Sequence, residues 1–286
     1  MPVLLRRRGL GKASCEGIID QMQYDASVHC NQLQDVDHFV QCLEDSSDKV
    51  VIRWGCTANI PDRKEFGVTI INKAKGIHKV ADKLGFREIL NEAQLCPATF
   101  FEMEELPEGE RPMIVRGNGH AQGRMLDYCT TYDQVNTAAM KYAQGFYISE
   151  YIPKVAEYRA FCFEGRIIAL TEKHPADKSA IAWNEAQGGS VENVKWGSWP
   201  LNVCSIALEA FALSELDFGG VDIIVDENGK AYVLEINSAP SCSPYRQKCF
   251  AKAIDYMLEK GEARHYEFPT GNNWKGYIHP AMTANM

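Results

Sequence analysis

Within the stretch DFGGVDIIVDENGKAYVLEINSAPS (217–241), two apolar runs, Val221 to Val225 and Ala231 to Ile236, flank the turn Asp226-Glu227-Asn228-Gly229. This is the pattern of a hairpin of two largely buried strands. Into these strands the sequence puts oxygen ligands: Asp222 in the first, Glu235 near the end of the second, and Asn237 two residues later. Side chains two apart in a strand project from one face, so Glu235 and Asn237 point together, and the hairpin can bring Asp222 alongside them. Burying carboxylates without compensation is costly, so such a cluster calls for a cation, and hard oxygen ligands sharing a site with phosphates suit Mg²⁺. The plainer alternative is that Asp222 belongs to the turn and Glu235 is a solvated strand residue.

Other segments carry groups that such a site would use. EYRAFCFEGRIIALTEK (157–173) alternates as an antiparallel pair turning at Glu164-Gly165, with Arg159 on its first strand and Lys173 at the end of its second. Basic residues at hairpin ends are usually surface decoration, but beside a carboxylate hairpin they suit a nucleoside triphosphate with its metal. WNEAQGGS (183–190) offers an Asn and two glycines. VRGNGHAQGRML (115–126) follows the apolar strand Met113 to Val115 with a basic residue and three glycines, a loop whose backbone N–H groups could close over phosphates. Its spacing fits neither the GxxxxGK[ST] phosphate loop nor the dinucleotide fingerprint.

The elements that must position these groups are legible from periodicity. Residues 1–95 alternate strand-like runs (Val3 to Leu5, Val50 to Ile52, Val68 to Ile71) with helical spacing at Val36, Phe39, Val40 and Leu43 and again from Ala74 to Leu84, where Gly85 fits as the stop. That alternation implies an α/β unit with a parallel sheet whose ligands lie beyond the strands' carboxyl ends, which makes Arg53, Asn59 and Asn72 candidate substrate contacts, with ordinary loop polar residues as the default reading. A second region, 96–149, holds the Gly-rich loop, a helix at 131–143 and a strand from Phe146 to Ile152. A third, 150–286, holds the two hairpins, helices at 203–216 and 243–260, and a tail expected to be poorly ordered or docked in extended form.

Composition sets the outer bounds. A chain of 286 residues fits two domains or one domain with lobes, and 45% hydrophobic with 24% charged residues is ordinary for a globular protein. The net charge of −8 argues against general nucleic-acid or membrane-surface binding. Arg6-Arg7-Arg8 reads as a solvated basic turn with some capacity for anions. Ten cysteines without CxxC or metal-ligand spacing read as reduced thiols, Cys242 among them as a packed one. The start lacks the apolar core of a signal peptide and no stretch has the length of a membrane span, so a cytoplasmic protein is expected.

The order strand, basic residue, Gly-rich loop, then SEYI, EYRAFCFEGRIIALTEK, WNEAQGG and GGVDIIVDENGKAYVLEINSAPS resembles an ATP-grasp ligase, most closely the branch that contains the ribosomal-protein S6 glutamate ligase and related amino-acid ligases. The resemblance spans roughly 68–260. It implies α/β plus α+β architecture: an N-terminal α/β domain followed by two lobes that grip ATP. It also implies that Asp222, Glu235 and Asn237 hold the Mg²⁺ ions on the ATP phosphates, two ions being expected, with Mn²⁺ able to substitute. Arg159 and Lys173 would contact the phosphates, and Asn184 would lie near the γ-phosphate. Glu150, Tyr151 and Ile152 match the adenine hinge, and Glu157 a position near the ribose. Arg116 stands where the family usually has lysine, Lys173 where related ligases usually have arginine, and Gly117, Gly119 and Gly123 would form the lid.

The activity so implied is the joining of a carboxylate to an amine (an amino acid, peptide or protein) through an acylphosphate, with release of ADP and phosphate. Competing expectations are an ATP-grasp protein of other chemistry, such as a kinase or thioester ligase, and a non-catalytic ATP-binding regulator. The sequence leaves open which acid and amine are joined and whether the chain forms a homodimer.

Overall fold

The protein is described by a computed structural model over residues 2–30, 50–58, 68–118, 125–142, 145–177, 180–183, 188–261, 269 and 273–283. The helix expected around Val36 to Leu43, and the candidate residues Asn59, Gly119, Gly123 and Asn184, lie outside the described residues.

Near-continuous apolar runs make strands that are buried on both faces, which is what a parallel sheet requires. VLL and VVI do so here: β1 (Val3–Arg6), β2 (Ser27–Cys30), β3 (Val50–Trp54) and β4 (Thr69–Ile71) form a parallel sheet in the order β2-β1-β3-β4. Helix α1 (Lys12–Ile19) follows β1. After β4 the expected single helix is two, α2 (Ala74–Ala81) and α3 (Lys83–Glu92). The break falls at Asp82, whose extended backbone and side chain cap α3 by accepting from the Gly85 N–H at 3.2 Å. Gly85 is thus not a stop but a first-turn residue, and its missing Cβ leaves room for that carboxylate, which would lie 2.5 Å away.

A second, antiparallel sheet has the order β5-β8-β6-β7, from β5 (Thr99–Phe100), β6 (Met113–Gly117), β7 (Leu126–Cys129) and β8 (Phe146–Glu150). Helix α4 (Tyr132–Met140), capped by the Thr131 hydroxyl, packs on it. The third sheet, also antiparallel, is the largest: β9 (Lys154–Phe163), β10 (Arg166–His174), β11 (Ser190–Asn193), β12 (Phe218–Asp226) and β13 (Ala231–Asn237) in the order β11-β10-β9-β12-β13. Helices α5 (Leu201–Ser214) and α6 (Pro244–Lys260) contribute buried apolar faces to the same core as this sheet, with Trp54 of β3 stacked against Phe218 and edge-on to Phe250.

The described part of the tail is docked, in helical turns on either side of one extended residue, Ile278, which forms a parallel bridge with Ile167. A 3₁₀ turn (Trp274–Tyr277) leads into the short helix α7 (Pro280–Thr283), with Tyr277, Ile278, His279 and Met282 buried. The His279 N–H donates to the Ile167 carbonyl at 2.9 Å, and its ring meets Phe163 and Tyr256 edge-on. Apolar residues in a composition rich in Asn and Gly supplied enough burial to dock the segment.

One irregularity decides where the chemistry sits. Asp222 pairs with Glu235 but Ile223 pairs with Val233, so Leu234 is an extra residue in β13. A bulge of this kind shifts the strand's alternation by one. Without it Glu235 and Asn237 would share the face of Val233, which is fully buried in the core; with it Val233 and Ile236 both face inward and Glu235 and Asn237 face out with Asp222.

Candidate functional site

The outward face of the β9–β12–β13 ladder brings the expected residues side by side. Asp222 lies directly opposite Glu235 on one neighbour and Arg159 on the other. Asp222 is itself buried, and its carboxylate is gripped by the Arg159 fork, Nε to Oδ1 at 2.7 Å and Nη2 to Oδ2 at 2.6 Å. Lys173, on β10, reaches Asp222 Oδ1 at 3.2 Å and Glu157 Oε1 at 2.7 Å. Asn237 Nδ2 bridges Asp222 Oδ2 (3.3 Å) and Glu235 Oε1 (3.2 Å).

Both oxygens of Glu157 are taken by lysines, Oε1 by Lys173 and Oε2 by Lys154, whose ammonium also donates to the Ile181 carbonyl and stands 4.7 Å from the Trp183 ring centroid. Lys83 at the start of α3 approaches Glu235 Oε2 at 3.5 Å. Neither Lys83 nor Lys154 was singled out by sequence reasoning. The SEYIP-Lys spacing gave no hint for Lys154, and Lys83 reads as an ordinary helical surface residue.

Burial works against ionisation of Asp222, but Arg159 and then Lys173 outweigh it and hold the carboxyl well below the usual carboxylate range. For Glu235 burial again opposes charge and Lys83 does most to overcome it; Asp222 repels, and Arg116 and the Asn237 amide help to keep the carboxyl low. Burial depresses Lys173, yet Asp222 and Glu157 reverse this and keep its ammonium charged, whereas burial prevails at Lys154 and lowers it. Among the described residues, four cations (Lys83, Lys154, Arg159, Lys173) therefore face three carboxylates (Glu157, Asp222, Glu235).

Among the described residues no three His, Cys, Asp or Glu side chains converge to hold a metal by themselves. The donor set does fit Mg²⁺ shared with a polyphosphate: two opposed carboxylates and one amide oxygen supply part of an octahedron, and phosphate oxygens and water supply the rest. Asn237 presents its amide nitrogen to the two acids in the present pattern, and turning the amide about would present its oxygen instead. A cluster with surplus positive charge does not call for a bare divalent ion. It calls for one that arrives with several negative charges.

Arg116 sits in β6 opposite Tyr147 of β8, with its Nε buried and unbonded. Gly117 ends that strand, where a Cβ would collide with Met125 and Tyr142 at 2.6 Å, so packing alone requires glycine there. Glu150 at the end of β8, and Tyr151 and Ile152 on the link to β9, are half-buried; the N–H groups of the first two donate to the Ala98 and Pro112 carbonyls, and Tyr151 packs edge-on to Tyr128. Two candidate substrate contacts follow the default reading and are taken up by the fold. Arg53 is 4% exposed and holds the Cys56 and Ala58 carbonyls, and Asn72 is fully buried, clamping Asp217 and Phe218 at the start of β12. Burial pushes the Cys242 thiol up to about 12, in keeping with a packed side chain.

Comparison with known proteins bears on this geometry. The RimK-like ATP-grasp domain matches residues 99–257, and no curated protein matches the chain in sequence. The D-alanine–D-alanine ligase of Bacillus anthracis superposes with a TM-score of 0.62 at 14% identity, covering 91% of this chain and 100% of its own. The ATP-grasp ligase PsnB in complex with a minimal precursor gives 0.62 at 11%, covering 90% and 98%. The RiPP-associated ATP-grasp ligase of Chryseobacterium gregarium, in complex with ADP and a leader and core peptide, gives 0.62 at 13%, covering 92% and 99%. At such identities the likeness is one of fold, while the domain match covers more than half of the chain: it belongs to the RimK-like ATP-grasp family.

Proposed function

We propose that the chain joins a carboxylate to an amine at the expense of ATP, through an acylphosphate, on the face that carries Asp222 and Glu235. The observation that carries this reading is the opposed pair Asp222–Glu235 ringed by Lys83, Arg159 and Lys173 on an ATP-grasp fold. Residues 1–95 would form the substrate-selecting domain, 96–149 the lobe over the nucleotide and 150–286 the lobe beneath it. Glu150, Tyr151 and Ile152 would hold the adenine, and Arg116 with the glycine loop 117–123 would cover the phosphates. Asn184 would stand near the γ-phosphate.

A carboxylate carbon is shielded by negative charge and needs activation. In the first step a carboxylate oxygen attacks the γ-phosphorus, the bond to the β–γ bridging oxygen breaks, and ADP leaves. Arg159, Lys173 and Lys83 would stabilise the charge that moves onto ADP. Asp222, Glu235 and Asn237 would hold two Mg²⁺ ions, or Mn²⁺ in their place, which neutralise repulsion among the phosphates. In the second step the amine nitrogen attacks the acyl carbon, the carbon–oxygen bond to phosphate breaks, and the nitrogen gives up a proton. Glu157, expected near the ribose, is held between Lys154 and Lys173 and would also keep Lys173 aimed at the site. The relatives solved with precursor, leader and core peptides support a peptide as one substrate. The described cysteines are all free and no described helix is long and apolar enough to cross a membrane, which support a cytoplasmic setting.

The test is ADP release with Mg²⁺ and ATP against pooled amino acids and short peptides, beside Glu235→Gln, followed by mass spectrometry. A product lighter by one water than its two parents, lost in the variant, supports the reading. ADP formed with a stable phosphorylated product would replace it with a kinase.

A further inference from the structure

Arg87 lies in α3 one turn beyond Lys83 and is 4% exposed, yet no carboxylate pairs with it among the described residues. Its guanidinium makes only uncharged contacts. Nη1 donates to the Val233 carbonyl at 3.4 Å, Nη2 donates to the Tyr147 hydroxyl at 3.2 Å, and Cζ stands 4.7 Å from the centre of the same ring. Burying a cation without a counter-ion is unfavourable, and an aliphatic side chain would fill the space without that penalty. Something other than packing has to explain the guanidinium.

The Cys96 thiol also meets the guanidinium. Val233 and Tyr147 mark the two sides of the site. Val233 is the last regular residue before the bulge, and its N–H donates to the Leu95 carbonyl at 2.7 Å, so both backbone groups on the open edge of β13 are held by the segment from α3 to β5. Tyr147 lies opposite Arg116 across the β6–β8 pairing. Lys83, four residues earlier on the same helix, contacts Glu235. A planar fork can hold two acceptors at fixed directions, which a lysine or an aliphatic residue cannot.

We propose that Arg87 is a positioning residue for the metal–nucleotide site: it pins Val233 so that Leu234 stays bulged and Glu235 stays turned outward, and it ties that strand to the sheet face that carries Arg116. Arg87 thereby sets the width of the gap into which metal and phosphates fit. The inference rests on the reading of Glu235 as a metal ligand given above.

The test is calorimetric titration of the full chain with Mg²⁺·ADP, and with ADP in EDTA, for the wild type, Arg87→Met, Arg87→Lys and Tyr147→Phe. Leu90→Ala, a cavity at a buried position of the same helix, serves as a control for lost stability. Groups that orient metal ligands are worth about 10–100-fold in metal affinity, so Arg87→Met should weaken Mg²⁺·ADP by that order and ADP in EDTA much less. Arg87→Lys should restore only part of the loss, Tyr147→Phe should show a smaller loss of the same kind, and Leu90→Ala should lower the melting temperature while leaving affinity alone. Should Arg87→Met fail to fold, the lysine and phenylalanine variants carry the same discrimination. If the Arg87 and Tyr147 variants bind Mg²⁺·ADP like the wild type and lose only stability, the proposal is overturned alone. A wild-type chain that binds no Mg²⁺·ADP overturns the reading of the site and the proposal with it.

Discussion

Replacing Asn72 by alanine removes the side chain that joins the end of β4 to the start of β12. Asn72 Oδ1 accepts from the N–H groups of Asp217 (2.7 Å) and Phe218 (3.0 Å), and Nδ2 donates to the Phe218 carbonyl at 2.9 Å. All of this is buried, so no water takes over the three orphaned groups. At about 1 kcal/mol for each lost bond the side chain is worth ~3 kcal/mol, with the orphaned backbone groups tending to raise that figure. Asn72 is also left-handed, with φ 59, a conformation that costs alanine about 1 kcal/mol more than glycine. The expectation is a loss of about 4 kcal/mol for Asn72→Ala and of roughly 1 kcal/mol less for Asn72→Gly, a large share of the total for any domain. Urea denaturation of the full chain followed by circular dichroism measures both. Below the transition, Mg²⁺·ADP binding should be retained. An alanine variant within about 1 kcal/mol of the wild type that instead loses affinity for a substrate would show that the side chain serves a ligand, and the clamp argument would be wrong.

Further outcomes follow from the same contacts. Glu235→Gln removes a charged metal donor and should weaken Mg²⁺·ADP by at least about 100-fold in calorimetry; wild-type affinity in that variant would remove Glu235 from the metal set. Asp222 has a folded-state carboxyl held below its unfolded value of about 3.9, so its contribution to stability is present at neutral pH and lost as pH falls through the lower folded value. Arg159→Met takes away the largest opposing charge and raises that folded value, so acid unfolding, followed by tryptophan fluorescence, should begin at a higher pH than in the wild type; an unchanged or lower midpoint contradicts the assignment. Gly76 lies in α2, where alanine would add about 1 kcal/mol of helix propensity, but its Cβ would come 2.7 Å from the Glu215 carbonyl oxygen. Gly76→Ala should therefore lower the melting temperature, and a rise would mean that α2 shifts to make room.

The ladder itself was legible because alternation and turn chemistry act locally. Residues 157–173 turn at Glu164-Gly165 as the pattern demands, both with positive φ, and Asp226 to Gly229 closes the second hairpin. Glu235 and Asn237 share a face, as their spacing of two demands. The bulge that turns this face outward is written in the apolar spacing of Ala231, Val233 and Ile236, two and then three, which simple alternation does not capture. Asp82 was hidden for a different reason: a cap competes with a helical apolar stripe that runs on past it, and periodicity alone cannot see the break. Asn72 and Arg53 end strands, where ligand contacts are common, but their partners come from far along the chain or from a loop's carbonyls, and spacing carries no record of either. Lys83 was missed on the same ground, since its carboxylate belongs to a hairpin far along the chain.

The charge balance at the ladder has a kinetic side. The whole chain carries −8, while among the described residues the slot lined by Lys83, Lys154, Arg159 and Lys173 has one more cation than its carboxylates Glu157, Asp222 and Glu235. Field lines from such an arrangement repel extended polyanions over most of the surface and draw compact anions into one opening. Nucleotide association should therefore quicken at low ionic strength, since steering over distances beyond about 10 Å is screened at ordinary salt. Inorganic phosphate and sulfate should compete for the slot long before they affect stability, and a preparation washed in either would understate the affinity of the site.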